Sequence, residues 1–221
     1  HHHKCRPDVP GIAFLPVPSF CVPAGVMIPA RTDNLIVSDK AISVSNLING
    51  STRVQPGVML TGQAAGPLAA LAVKAGCTPR EVPVRPLQAA LLAQKAYLQP
   101  LYDVKPDDPD FGLLQRIAST GILRMTGEPF HWANRSWFYP ERTIPVGEFT
   151  RGLHDFAPRI PVRTDTTPLT AASAADLLRR AGGRIAPSAD TTPLTRREAA
   201  RMVDEALHPF ERDIDFEGNL K

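Results

Sequence analysis

Apolar positions in the first quarter of the chain come in short runs, Ile12 to Leu15, Phe20 to Val22 and Val26 to Ile28, broken by Pro16, Pro18, Pro23 and Gly25. Such runs predict short strands joined by turns, with prolines tolerated at a sheet edge. The texture then becomes helical. From Arg53 to Gly76 small and apolar residues dominate; Pro56 and Gly57 stand at the start and Gly76 fits the left-handed residue beyond a helix end. Pro67 inside that stretch predicts a kink. A second helix is expected from Pro86 to Leu98, with Leu87, Ala90, Leu91, Gln94 and Leu98 on one face, packing on the first as a hairpin. Pro100 stops it.

The acidic, proline-rich stretch Pro100 to Asp110 reads as a domain linker. Beyond it, Asp110 is placed to cap a helix with Phe111, Leu114, Ile117 and Ala118 on one face, ending at Gly121. An irregular aromatic loop follows (Phe130, Trp132, Trp137, Phe138, Tyr139), then a helix near Gly147 to Phe156. The last third repeats itself. Asp165-Thr-Thr-Pro-Leu-Thr170 recurs 25 residues later as Asp190-Thr-Thr-Pro-Leu-Thr195, each copy preceding an alanine-rich helix, Ala171 to Ala181 and Arg196 to Leu207. Thr195 and Glu198 have capping-box spacing. Thr143 to Phe149 reads as a divergent third copy. A unit of this length buries its apolar face only by stacking on a neighbour.

Composition narrows this little. Proline, 23 in 221 residues, is about twice the usual frequency. The net charge of +3 and the absence of a basic run argue against nucleic acid as a partner. No membrane span is expected. Cys5, Cys21 and Cys77 are too scattered for a zinc site, and no metal site is expected from the isolated His131, His154 and His208. No G-x-S-x-G, S-x-x-K or close Cys/His pair marks a nucleophile, so catalytic residues stay unknown.

The start of the Arg53 to Gly66 helix reads two ways. It is either a packed core helix or a ligand-facing helix start, where unpaired N–H groups and the helix dipole meet an electron-rich atom while Gly62 and Gly66 admit a flat ring. Here a resemblance enters. Ile28-Pro-Ala-Arg31, Asp33 to Val37, Ala41 to Ser45, Gly50 to Pro56 and Gly62-Gln-Ala-Ala-Gly66 together resemble the C-terminal end of FAD-dependent oxidoreductases of the G-x-G-x-x-G flavoprotein group. Some relatives carry a xanthan lyase label, though nothing in these residues speaks for lyase chemistry. The resemblance implies a late strand at Asn34 to Val37, a helix N-terminus facing the flavin, and cofactor contacts at Asp39, Arg53, Gln55, Pro56, Gly57, Gly62 and Gln63. Asp39 reads equally as a ribityl-hydroxyl partner and as a turn residue. Ser38-Asp39-Lys40 stands where a small residue or glycine is expected.

The chain has no G-x-G-x-x-G of its own, the turn that grips a dinucleotide pyrophosphate. The expectation is therefore the C-terminal part of a longer flavoprotein, inactive alone, with FAD belonging to the parent and the FAD-binding domain of the same polypeptide as partner. His1-His2-His3 reads as a purification-tag remnant. Phe111 to Ile122, Phe138 to Phe149 and Leu194-Thr-Arg-Arg-Glu-Ala-Ala200 resemble S-layer homology modules, which implies a polysaccharide-binding role with Arg196 as a contact. Trp132 and Trp137 suit sugar stacking, or the loop's own small core. The resemblance favours a periplasmic or secreted protein. The expected fold is α+β and mostly helical, with short strands and a helical hairpin on the N-terminal side (residues 4–104) and a helical-repeat domain after it (105–221). The alternative function is a non-catalytic carbohydrate or cell-envelope binding module.

Overall fold

The computed structural model describes residues 19–131 and 133–221. The run Ile12 to Leu15, Cys5, the three opening histidines and Trp132 lie outside the described residues. Helices α1 (Asn46–Thr52), α2 (Gln55–Ala75) and α3 (Val84–Ala93) are followed by α4 (Phe111–Thr120) and an antiparallel hairpin, β1 (Thr126–Phe130) with β2 (Ala133–Trp137). Helices α5 (Val146–Phe156), α6 (Ala171–Arg180) and α7 (Arg196–Leu207) complete the fold. This is the expected mostly helical α+β class, but its strands fall elsewhere than foreseen.

Of the apolar runs on the N-terminal side, Val26 belongs to a short 3-10 turn (Ala24–Met27), and neither Phe20 to Val22 nor Asn34 to Val37 is a strand. A strand needs a ladder of bonds to a neighbour. Here two bonds join the extended segments, Val37 N–H to the Met27 carbonyl and Ser43 N–H to the Val26 carbonyl, both 2.9 Å. The strands appear instead in the expected irregular loop, where Thr126 pairs with Trp137 and Phe130 with Ala133. His131 turns the hairpin with a φ of 51°, the left-handed conformation that a tight reversal uses.

Two hydrophobic clusters organise the described residues. The first gathers Met27, Ile42, Leu68, Ala72, Val82 and Leu87, so α2 and α3 pack as the expected hairpin. Gly76 ends α2 at φ 65°, and α2 runs on through Pro67. The second helix is shorter than its periodicity suggested: α3 stops at Ala93, and Lys95 turns left-handed at φ 58°.

The second cluster holds Phe111, Leu114 and Ile117 of α4 with Phe138, Phe149, Leu153, Leu169, Leu178 and Val203. Its centre explains the repeat. Ile144 N–H donates to the Leu194 carbonyl (3.1 Å), Leu194 N–H to Leu169 (2.8 Å) and Leu169 N–H to Ile144 (2.8 Å), a closed ring of three. One turn outward the pattern recurs: Gly147 N–H donates to Asp165, Ala172 to Asp190 and Arg197 to Pro140, at 2.8–3.1 Å. The three copies thus close on one another rather than stacking as an open array. Each ring leads into a helix. Thr170 with Ser173 and Thr195 with Glu198 form capping boxes, while Pro145 in the divergent copy, which comes first along the chain, has no side-chain oxygen to cap with.

The expected linker is anchored. Leu101 and Val104 are core residues, and the Asp103 carboxylate accepts the Phe138 and Tyr139 N–H groups at 2.9 and 2.7 Å. Gln115, fully buried on α4, ties the halves: its Oε1 accepts from Leu98 and Gln99 N–H (2.8 Å each), and its Nε2 donates to the Gln99 carbonyl. Asp110 occupies the N-cap position of α4 without capping it, because its carboxylate accepts from Arg197 (2.7 Å) and Arg201 (2.6 Å).

Helix α5 crosses the Ile122 carbonyl at Gly152, where an added Cβ would overlap the carbonyl oxygen and carbon. Gly152→Ala is expected to destabilise the fold by about 3 kcal/mol, read from urea denaturation.

Candidate functional site

Of the candidate cofactor residues, Arg53, Gln55, Pro56 and Gly57 stand at the junction of α1 and α2, while Gly62 and Gln63 lie further along α2. Ser45 caps α1, its side chain accepting the Ile48 N–H, and α1 ends at Thr52. After the two residues Arg53 and Val54 α2 starts, with Pro56 in its first turn where no intrahelical N–H partner is lost. Arg53, Gln55 and Pro56 stand exposed at this corner. Asp39 reaches the same helix further along. Its backbone N–H donates to Thr61 Oγ1 at 3.2 Å, about 9 Å from Gln55 by the helical rise. Asp39 itself is left-handed, φ 61°, and its carboxylate accepts the Lys40 N–H at 2.6 Å, so it acts as a turn residue.

The glycines divide. Gly57 faces inward, and a Cβ there would stand 2.9 Å from the Thr52 carbonyl oxygen, so its smallness serves the α1–α2 corner. A Cβ added at Gly62 or Gly66 would meet nothing within 4 Å among the described residues, and both point outward, with Gln63 half-buried beside them. With Met59, Ala69, Ala70 and Val73 they make an exposed apolar face, on which Met59 is 74% and Val73 83% accessible. From Gln55 to Val73 the helix carries no charged side chain. An apolar face of this length on a helix surface marks a place where something else packs.

By length and composition α2 is apolar enough to cross a membrane. Thr61, Leu68 and Ala72, however, are buried on its other face, which packs in the hairpin with α3. It sits here as a packed helix with one side open.

The residues singled out for polysaccharide fare differently from those for flavin. Arg196 is wholly buried, which corrects its expected role as a surface contact. Its Nε donates to the Phe138 carbonyl and its Nη2 to the Arg124 carbonyl, both 2.6 Å, while Nη1 lies against the Glu148 carboxylate as an ion contact without hydrogen-bond geometry. Burial, and then the neighbouring Arg142, push its guanidinium down to about 10, so it stays charged at neutral pH. Glu148 is available to it because Pro145 leaves the first copy without a capping box. Trp137 is half-buried in an aromatic row, stacked with Tyr139 (5.6 Å, 11°) and 4.9 Å from Tyr102. Arg135 lies over the Tyr102 ring at 4.3 Å.

Sequence reasoning passed over Arg197, the next residue. It bonds Asp108 through two nitrogens (2.9 and 3.0 Å), Asp110 (2.7 Å) and Glu141 (2.8 Å), clamping the acidic stretch to α7. The acidic run of residues 107–110 was its signal. Among the described residues no group of three or more His, Cys, Asp or Glu is placed to hold a metal ion.

No curated protein and no solved structure matches the chain. Residues 1–91, which contain Asp39, the α1–α2 corner and most of α3, match the model of the FAD dependent oxidoreductase family, and that part of the chain is similar to a flavin-enzyme domain.

Gly62→Ala is expected to raise the stability of this chain by about 0.5–1 kcal/mol in urea denaturation, because the helix gains propensity and nothing is crowded. Hydrogen bonds from Arg197 hold the Asp108 and Asp110 carboxyls below their usual range. The stability they lend is therefore complete above about pH 4 and lost as pH falls through the lower folded values. Arg197→Met should lose stability at pH 7 and lose less of it on acidification to pH 3 than the unaltered chain does.

Proposed function

We propose that this chain is the C-terminal part of a flavin-dependent oxidoreductase, and that α2 is the helix it contributes to the flavin site. The observation carrying the proposal is the outward face of α2, small and uncharged, opened by Gly62 and Gly66 and lying within the stretch that matches the family. The start of α2 offers unpaired N–H groups and a partial positive charge to an electron-rich ring atom. Arg53 and Gln55 stand beside it, and Gly62 and Gln63 line the approach. Bound FAD would supply the redox chemistry; the residues here orient it and exclude water. The partner for the open face is the domain of the same polypeptide that carries the pyrophosphate-binding turn. The residues present fit the ring end of the cofactor and include no G-x-G-x-x-G for its phosphates.

Titration of FAD into the purified chain, followed by flavin fluorescence, is expected to give no saturable binding. A stoichiometric flavin absorbance band in that chain would overturn the proposal that FAD is held only with the nucleotide-binding domain. In a polypeptide joining this chain to its nucleotide-binding domain, Gly62→Leu should sharply reduce the bound flavin. If that longer protein stays colourless after FAD addition, the flavin reading fails.

A second reading, a glycan-binding module in the helical half, rests on the half-exposed row Tyr102, Trp137 and Tyr139. It predicts that the chain is retained on insoluble polysaccharide and that Trp137→Ala abolishes retention. Equal retention of both proteins would sink it.

A further inference from the structure

After α7 the chain turns left-handed at His208 (φ 44°) and runs through Pro209–Glu211 to its last residues along the seam between the two hydrophobic clusters. Both sides hold it. On the repeat side, the Arg212 guanidinium stacks over the Phe156 ring of α5 at 4.9 Å. On the hairpin side, the carbonyl of the same Arg212 accepts from Arg85 Nε at 3.0 Å, and the Arg85 guanidinium lies over the Phe210 ring at 4.5 Å. Arg85 sits in the first turn of α3 and is buried, and its Nη1 is oriented by Gln88 (2.8 Å). Further on, the Phe216 carbonyl accepts the Gly25 N–H at 3.2 Å, and a Cβ on Gly25 would come within 3.3 Å of the Phe216 side chain. The segment also holds its own shape. Ile214 is buried and bridges Leu220, while Asp215 accepts the Asn219 N–H at 2.8 Å to close the terminal loop.

We propose that residues 209–221 are an intramolecular strap that fixes the α2–α3 hairpin against the three-copy half. Elsewhere the two halves meet at the Gln115 bridge to Leu98 and Gln99, at Leu92 of α3, which packs against the second cluster, and at Ser19, whose Oγ donates to the Asn134 carbonyl at 2.9 Å, so the strap is a latch beside these fixed contacts. A hydrogen bond from a charged group and a stacked cation are together enough to hold such a latch, and few enough to be released by one substitution. The strap sets the direction in which α2 presents its open face. Its release loosens the hairpin without dismantling the ring at Ile144, Leu169 and Leu194, which it does not touch.

The chain reports the two halves separately. Both tryptophans, Trp132 and Trp137, lie in sequence beyond residue 100, so tryptophan fluorescence follows the repeat half. Far-ultraviolet circular dichroism follows all helices, α2 and α3 included. In the unaltered chain the two melting curves are expected to coincide. In Arg85→Met, and independently in Phe210→Ala, the dichroism curve should shift to lower temperature and split into two steps, with the fluorescence midpoint unmoved. Coincident curves in both variants, whether shifted together or not shifted at all, would overturn the strap, because the segment would then be an ordinary part of one cooperative core.

Discussion

Three backbone hydrogen bonds, Ile144 to Leu194, Leu194 to Leu169 and Leu169 to Ile144, fix how the C-terminal half is built. Each residue gives its N–H to one neighbour and its carbonyl to the other, so buried polar groups at the centre of an apolar core are paired. The side chains of all three are buried there. From this ring each copy leads into its helix, and the outer ring at Gly147, Ala172 and Arg197 uses N–H groups in the first turns that would otherwise lack partners. Those helix starts are consequently closed to ligands, in contrast with α2.

The departures from symmetry have specific consequences around that ring. Where the third copy has Thr195 to cap its helix with Glu198, the first has Pro145, which frees Glu148 to meet Arg196. Arg196 in turn holds the Phe138 and Arg124 carbonyls, so one buried cation joins α7, α5 and both flanks of the hairpin. A buried charge is tolerated only when surrounded by such acceptors. Its sequence neighbour Arg197 points the other way and binds the acidic stretch before α4, turning what looks like a linker into part of the packed half.

Among the described residues the N-terminal half is the less complete. Its hydrophobic cluster is small, its extended segments form single bonds to one another rather than ladders, and its longest helix leaves one apolar side uncovered. Each of these fits the proposal that a neighbouring layer covers this edge. The similarity of residues 1–91 to flavin oxidoreductases fits that condition, since the proposed partner would supply both the covering surface and the phosphate-binding turn.

Local signals were readable from sequence because they are local. Gly76 and Gly121 end their helices in the left-handed conformation, Thr195 and Glu198 cap α7, and the apolar stripe of α4 is buried. Period, propensity and caps act within a few residues and leave their mark in composition. The family resemblance of the first part was legible in the order of short motifs. Tertiary structure alone decided the rest. Hairpin pairing across Pro129, the closure of three copies into a ring, the burial of Arg196, the inward use of Gly57 and the return of Phe216 to Gly25 all depend on partners distant in the chain. An arginine after a threonine cap has the same sequence whether it faces water or a ring of carbonyls. Only packing, which sets what surrounds the guanidinium, separates a surface contact from a buried strut.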